Sequence, residues 1–488
     1  MTDRSFARTD MEERYIAAVD LGTSKTALAV ARVEGEDVQV IYYKEHPSAG
    51  VRYGYVFNPQ RASEVLKEMV RSAETELHIR ILQMVVGLPR YYIRQEIAKA
   101  DVPRGTDDGR ITREDVESLK NIALDSYPLD NPDKEIIFGA VAQSIETDEI
   151  IQATEEDVVG MISEKFTGYY KTFVGTRKSR SNIDNIFNDT GIALSKTCFT
   201  PITTAKAVLT ANEMNNGVTL LEFGAGVTSV TVFQGGILRH YASIPFGAAS
   251  VTEDIRLECG FSTALAENIK LAYGACMPEK LASMSEKIIK VVNEENGAEK
   301  DLPVRYLSEI ITCREKELVE AMLYEIERSG MADTLRSGLV VTGGGAAMTG
   351  LANLIKEMSG YNVRMGYPLR KFTATGCPGA METAAATVIS MVMACKDDKY
   401  VNCIEQLPSQ EPEEQVPEVE AEEPAPERPA DALFDKEEFG PEQKPEKKKP
   451  AREPKPKKER KPSPIWTKLT GKLGDTLNTL FDDMVDNQ

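Results

Sequence analysis

The sequence predicts an α/β chain built from two related half-domains that face a shared cleft. Two observations lead there. Residues 16–33 read as two short apolar strands joined at Asp20-Leu21-Gly22-Thr23-Ser24-Lys25. A similar segment returns at 218–233, where Glu222 falls on Asp20, Gly224 on Gly22, Thr228 on Thr26 and Val232 on Val30, without a gap.

Composition bounds what surrounds these hairpins. At 488 residues and 41% hydrophobic content the chain can build two or three full cores. The negative mean hydropathy implies a part that does not fold. The net charge of −19 hides strong segregation near the C-terminus. A uniformly acidic chain argues against nucleic acid, whereas a local basic tract keeps other anionic partners open; nucleic acid is not expected as a partner.

The 7 cysteines are scattered without a Cys-x-x-Cys pair, and His46, His78 and His240 lie far apart. Thiolate or imidazole metal sites are therefore not expected, and reduced cytosolic thiols are. Residues 1–13 are polar, unlike a signal peptide. The most apolar run, 380–394, is too short to span a bilayer and holds Glu382, so it reads as a buried helix. A cytoplasmic protein is expected.

Along the chain, 38–43 reads as a third strand, 60–78 as an amphipathic helix and 81–87 as a strand. From 91 to 170 the texture changes. Strands at 92–98 and 135–144 surround one helix that starts at Thr112, with Glu114 and Asp115 in its first turn, which suits an inserted α+β subdomain. Helices follow at 182–190 and 203–213, the latter leading into the second hairpin, then at 252–259, 262–273 and 306–328. Residues 339–354 read as strand, glycine turn and helix, and the last folded helix ends near Ala394. Beyond about 405, a Pro/Glu-rich tract and a Pro/Lys-rich tract lack the apolar content to offset ordering entropy, and read as a disordered linker to 463. A flexible chain of roughly 60 residues spans about 40–45 Å root-mean-square.

The glycine turns carry the chemistry. Backbone N–H groups at Gly22, Thr23, Ser24 and Lys25, and at Gly224, Ala225, Gly226, Val227 and Thr228, can approach phosphate because little side chain intervenes. Asp20 is placed to hold Mg²⁺ through water and Lys25 to neutralise phosphate, while Glu222, which falls on Asp20 in the repeat, is a nucleotide-site candidate whose longer side chain shifts any Mg²⁺ geometry. Each hairpin alone is equally an ordinary β-hairpin; the pair is more specific. A third element, Gly343-Gly344-Gly345-Ala346, follows an apolar strand and precedes a helix, exposing bare backbone to a ligand.

These three elements, in this order, resemble the actin-like ATPase superfamily, and within it the FtsA family of bacterial cell division. The resemblance covers residues 15–394, includes the insertion, and extends to the segment after the linker. It implies an actin-like (ribonuclease-H-like) two-lobed nucleotide-binding fold, with ATP and Mg²⁺ between the hairpins and the Gly-Gly-Gly turn on adenosine. Lobe one would take 14–90, 171–216 and 366–396; the inserted subdomain 91–170; the lobe-two core 217–254 and 331–365; and a partner-binding subdomain 255–330. By the same resemblance Glu267 and Lys270 are adenosine-side candidates, although an exposed i, i+3 salt pair fits them equally.

The departures from the family pattern matter. Glu222, Ala225 and Ser229 stand where hydrolytic relatives have Asp, Gly and Asp, and 199–206 offers no Glu or Gln to orient water. Slow or absent hydrolysis is expected. The resemblance also implies an FtsZ-like filament as partner through its C-terminal peptide, with Arg305 and Arg314 on the receiving surface; solvated helix charges are the alternative for both. Self-association into filaments and other divisome proteins as partners follow from it too.

The last segment, 464–488, has its own pattern. Trp466, Leu469, Leu473, Leu477, Leu480 and Phe481 recur at helical spacing beside lysines, after a basic tract. That suits an amphipathic helix on anionic lipid, with docking in a protein groove as the alternative. Gly471, Gly474, Asp482, Asp483 and Asp486 weigh against lipid. The expected location is the cytoplasmic side of the cell membrane at the division site. Rival readings are a sugar or acetate kinase, an Hsp70-type chaperone, or an actin-like pilus or rod-shape protein. No carboxylate base is identifiable for the kinase, no β-sandwich follows for the chaperone, and the long tether and C-terminal helix point away from a pilus or rod-shape protein.

Overall fold

The computed structural model describes residues 13–103, 109–150, 154–292, 297 and 299–406. The chain divides into units 1–407 and 408–488, and the architecture below belongs to the first. The linker from 407 onward and the segment 464–488 lie outside the described residues, as do residues 1–12.

Two five-stranded sheets carry the same topology. In the first, strands run in the order Asp37–Pro47, Lys25–Glu34, Arg14–Leu21, Gln83–Gly87, Ala193–Cys198. In the second the order is Ile237–Ile244, Thr228–Gln234, Val218–Phe223, Leu339–Thr342, Val363–Met365. Each begins as an antiparallel meander and continues with two parallel strands. The repeat seen in the sequence extends to register: Asp20 pairs with Ala27 and Leu21 with Thr26, as Glu222 pairs with Ser229 and Phe223 with Thr228.

The hairpin strands are buried on both faces, so they read as continuous apolar runs rather than alternating ones. The helix Ala386–Cys395 closes the first core. It packs against the strands Arg14–Leu21, Lys25–Glu34 and Gln83–Gly87 and against the helix Thr200–Val208, and eight of its ten residues are buried.

A third sheet has Lys165–Thr176 in the middle flanked by Arg94–Pro103 and Glu135–Glu146. The helix Arg113–Asp125 covers it, capped by Thr112, whose hydroxyl takes the Asp115 N–H in a capping box. This sheet also grips the second half. The Gln143 amide donates to the Leu238 carbonyl at 2.9 Å, and Phe173 stacks on Phe199 at 4.6 Å between centroids, with Tyr241 edge-on to both.

Several expected elements are corrected. The strand expected at 81–87 is two: Ile79–Ile81 pairs with Ile404–Gln406, while Gln83–Gly87 enters the main sheet. The helix expected at 203–213 is also two, Thr200–Val208 and Ala211–Asn216, because Thr210 and Glu213 form a capping box that restarts the helix. The helix at 380–394 begins only at Ala386, after two short 3₁₀ turns. The central strand Lys165–Thr176 escaped the sequence reading, which ended the insertion at 170.

Candidate functional site

Each hairpin turns just past the carboxyl end of its first strand, after Leu21 and after Phe223. At both turns a glycine lets the chain fold back on itself. A Cβ on Gly22 would stand 2.6 Å from the Lys25 carbonyl oxygen, and one on Gly224 would stand 2.5 Å from that of Val227. Those contacts are too short for any side chain, which is why glycine recurs at equivalent places.

The two turns meet. A Cβ on Gly226 would lie 2.7 Å from Thr23 Oγ1, and that oxygen is itself fixed by the Gly54 N–H at 2.9 Å. The Gly-Gly-Gly turn docks against the second hairpin. Gly343 takes a φ of +93°, and a Cβ there would sit 2.4 Å from the Phe223 carbonyl oxygen. Thr383 clamps the same glycine, its hydroxyl donating to the Gly343 carbonyl at 3.1 Å.

Loop 224–225 is tied to the start of the helix Ala248–Cys259. The Ala248 N–H donates to the Gly224 carbonyl at 3.0 Å and the Ala249 N–H to that of Ala225 at 2.9 Å. Two of the free amides of that helix end are thus satisfied within the protein. Behind them Lys270 is buried, donating to the Thr252 hydroxyl at 2.8 Å and the Ala248 carbonyl at 3.1 Å and pairing with Glu267 at 2.8 Å. Glu267 also accepts from the Thr252 hydroxyl. The i, i+3 pair is therefore formed, yet its lysine is sunk beneath the second loop rather than free in solvent.

Charge concentrates between the hairpins. Glu222 is 3% exposed, forms an ion pair with Arg90, and accepts from the Thr387 hydroxyl at 2.7 Å. Burial pushes the Asp20 carboxyl up; Arg90 pulls it down, Glu222 pushes it up and Lys25 pulls it down in lesser measure. Burial works against the Arg90 charge, but Glu222 and Asp20 more than offset it and raise its pKa. Lys25 pairs with Glu45 at 2.5 Å.

Arg90 and Thr387 were missed by the sequence reading. A signal for Arg90 existed: it lies just past the carboxyl end of an apolar parallel strand, where ligand sites in α/β sheets gather. Thr387 gave none, since its helix reads simply as apolar.

The structure does not bring Arg305 and Arg314 together. Both lie on the helix Val304–Arg328, nine positions apart, which is about half a turn around and ~13.5 Å along it. Arg305 is exposed beside Glu309 at 3.2 Å. Arg314 is engaged by both carboxylate oxygens of Asp254, at 2.6 and 2.9 Å, and by Glu317 at 2.5 Å. Among the described residues no helix is long and apolar enough to cross a membrane. The candidates Trp466, Leu469, Leu473, Leu477, Leu480 and Phe481 lie outside the described residues.

Comparison with known proteins agrees with this geometry. The family model described as Cell division protein FtsA matches residues 219–390. Cell division protein FtsA of Neisseria meningitidis serogroup B is 26% identical over 363 residues, 74% of this chain and 85% of that one. That of Streptococcus pneumoniae serotype 2 is 28% identical over 358 residues, 73% and 76% respectively. Among solved structures, the PilM-PilN type IV pilus biogenesis complex aligns with a TM-score of 0.53 at 14% identity, over 79% of this chain and 98% of that one, a likeness of fold. With the doubled sheet, the paired hairpins, the family model and these relatives in accord, the chain is similar to the FtsA family of cell division proteins.

Proposed function

We propose that this chain is an ATP-binding adaptor of cell division, holding nucleotide between its two hairpins with slow or absent hydrolysis. It binds the C-terminal peptide of a tubulin-like FtsZ filament through the region 255–330, self-associates, meets other divisome proteins, and is held at the inner face of the cytoplasmic membrane by the segment 464–488. The observation that carries the nucleotide reading is the meeting of the turns at Thr23 and Gly226, with the third glycine turn docked on the second hairpin at Phe223. Backbone amides without intervening side chains are what phosphate oxygens require. Gly22, Thr23, Ser24, Lys25, Gly224, Ala225, Gly226, Val227 and Thr228 would face phosphate. Gly343, Gly344, Gly345, Ala346, Glu267 and Lys270 would face the nucleoside.

Weak hydrolysis follows from the groups at hand. The helix Thr200–Val208 brings threonine hydroxyls rather than a carboxylate or amide, and one of them, on Thr203, is taken by Ser390 at 3.0 Å. Mg²⁺ fits poorly. Its expected carboxylate, Asp20, lies in the field of Arg90, the counterpart Glu222 is ion-paired with Arg90, and among the described residues no group of three or more His, Cys, Asp or Glu is placed for a metal. The rival kinase reading would need an acceptor and a base, and nothing in the cleft favours it.

Two measurements on the full-length protein test this. Calorimetric titration should find saturable ATP binding with phosphate release far below that of a vigorous ATPase; rapid turnover would overturn the adaptor reading. Fluorescent fusions in dividing cells should form a midcell band that is lost when residues 464–488 are removed. Diffuse fluorescence for both would point to a soluble enzyme instead.

A further inference from the structure

Beside the acids of the cleft stands a cation that the chain itself supplies, Arg90, ion-paired with Glu222 and attracting Asp20. We propose that Arg90 takes the part of a divalent cation at the phosphate end, so that nucleoside polyphosphate is bound without metal and the guanidinium meets its oxygens. This deepens the nucleotide reading above and rests on it.

Position is the first argument. Arg90 belongs to the stretch that leaves the strand Gln83–Gly87, beside the strand of Asp20, and its side chain crosses to Glu222 of the second half. Its carbonyl accepts from the Tyr241 hydroxyl, also in the second half. Both ends of the residue are thus fixed across the cleft. The chain next to it is strained, with Tyr92 at a φ of +67°, and Tyr91 packs on both Tyr92 and Tyr53 near the first turn. Left-handed backbone at a bulky residue persists where the surroundings hold it, commonly at ligand sites.

Charge is the second argument. Glu222 reaches Arg90 with the extra methylene that distinguishes it from the aspartate of the family pattern. One oxygen, Oε1, takes both the Arg90 guanidinium and the Thr387 hydroxyl. Mg²⁺ demands near-ideal octahedral oxygen coordination, and an oxygen committed to two donors beside a fixed positive charge does not offer it. The other nearby cation, Lys25, is held by Glu45. Arg90 therefore contributes the largest attraction felt by Asp20.

Chemistry is the third. A guanidinium presents five N–H donors in a planar fork suited to phosphate. Glu222 engages the fork at Nη1, so donors remain for an oxyanion, and guanidinium–phosphate hydrogen bonds are among the stronger ones proteins make.

The test is ATP affinity of the full-length protein in Mg²⁺ and in EDTA, for the wild type, Arg90→Gln and Arg90→Lys. Wild-type affinity should differ by less than about three-fold between the two buffers, a small change on the scale where 1.4 kcal/mol is tenfold. Arg90→Gln should lose about ten-fold or more in EDTA, and Arg90→Lys should keep part of the binding because it retains charge without the fork. Wild-type binding that collapses in EDTA overturns the proposal while leaving the nucleotide reading intact. So does an Arg90→Gln protein that binds as tightly as the wild type in EDTA. Absence of ATP binding in every condition overturns both. If Arg90→Gln does not fold, the wild-type comparison of the two buffers still decides.

Discussion

Thr23 and Gly226 stand against each other where the two hairpins meet: a single added methyl on Gly226 would come within 2.7 Å of Thr23 Oγ1 and 2.8 Å of its Cγ2. The threonine has little room to yield, because its hydroxyl also holds the Gly54 N–H at 2.9 Å. Gly226→Ala should therefore push the hairpins apart, at a cost of about 1–3 kcal/mol from overpacking. Thermal unfolding and ATP titration of the variant read the two consequences. A protein unchanged in both would mean that the turns do not need this contact.

The hydroxyl of Thr387 reaches Glu222 in the cleft from the last core helix. Thr387→Val keeps its shape and removes the hydrogen bond to Glu222, leaving Arg90 as the main partner of that buried carboxylate. Urea unfolding should show a loss of about 1.5–3 kcal/mol, the range for hydrogen bonds to charged groups.

Glu315 predicts an unusual pH profile. It is 1% exposed on the helix Val304–Arg328, and its Oε2 has no hydrogen-bond partner among the described residues. Burial pushes this carboxyl up to about 7 from an ordinary 4.5, against a weaker pull from Lys270. Between those values the folded chain keeps a proton that the unfolded chain has released. The stabilisation by this group is therefore present below 4.5 and lost as pH rises through about 7. Glu315→Gln does not titrate, so its stability relative to the wild type should climb across that window by about 3 kcal/mol. Unfolding midpoints at several pH values check it; parallel curves for the two proteins would show that Glu315 is not held neutral.

Phe173 ties the inserted sheet to both halves through its stack on Phe199 and its edge contact with Tyr241. Phe173→Ala should cost about 3–5 kcal/mol. Hydrogen exchange should show the loss concentrated in the strands Lys165–Thr176 and Ile237–Ile244.

The doubled hairpin was legible before any coordinates because its causes are local. A glycine is needed where an added Cβ would stand 2.6 Å from the chain's own carbonyl oxygen, and strands buried on both faces must be apolar throughout. The capping box at Thr112 was readable for the same reason. The break at Thr210 followed equally local rules but was hidden inside a stretch of good helix formers. The strand Lys165–Thr176 was missed because its stability comes from two partner strands that both lie more than twenty positions earlier in the chain.

Sequence alone determined the α/β class, the repeated topology and the glycine-rich elements, since periodicity and turn chemistry act over a few residues. Tertiary structure alone decided what those elements enclose. Arg90, Glu222 and Thr387 are separated by up to 297 positions, the difference between 387 and 90, yet they share one buried cluster. No local pattern announces such a cluster, because the favourable energy of a buried ion pair exists only once folding has excluded water from both partners. The fold also set Arg305 and Arg314 on opposite sides of one helix, a geometry that follows from helical pitch once the helix is known to run unbroken from 304 to 328.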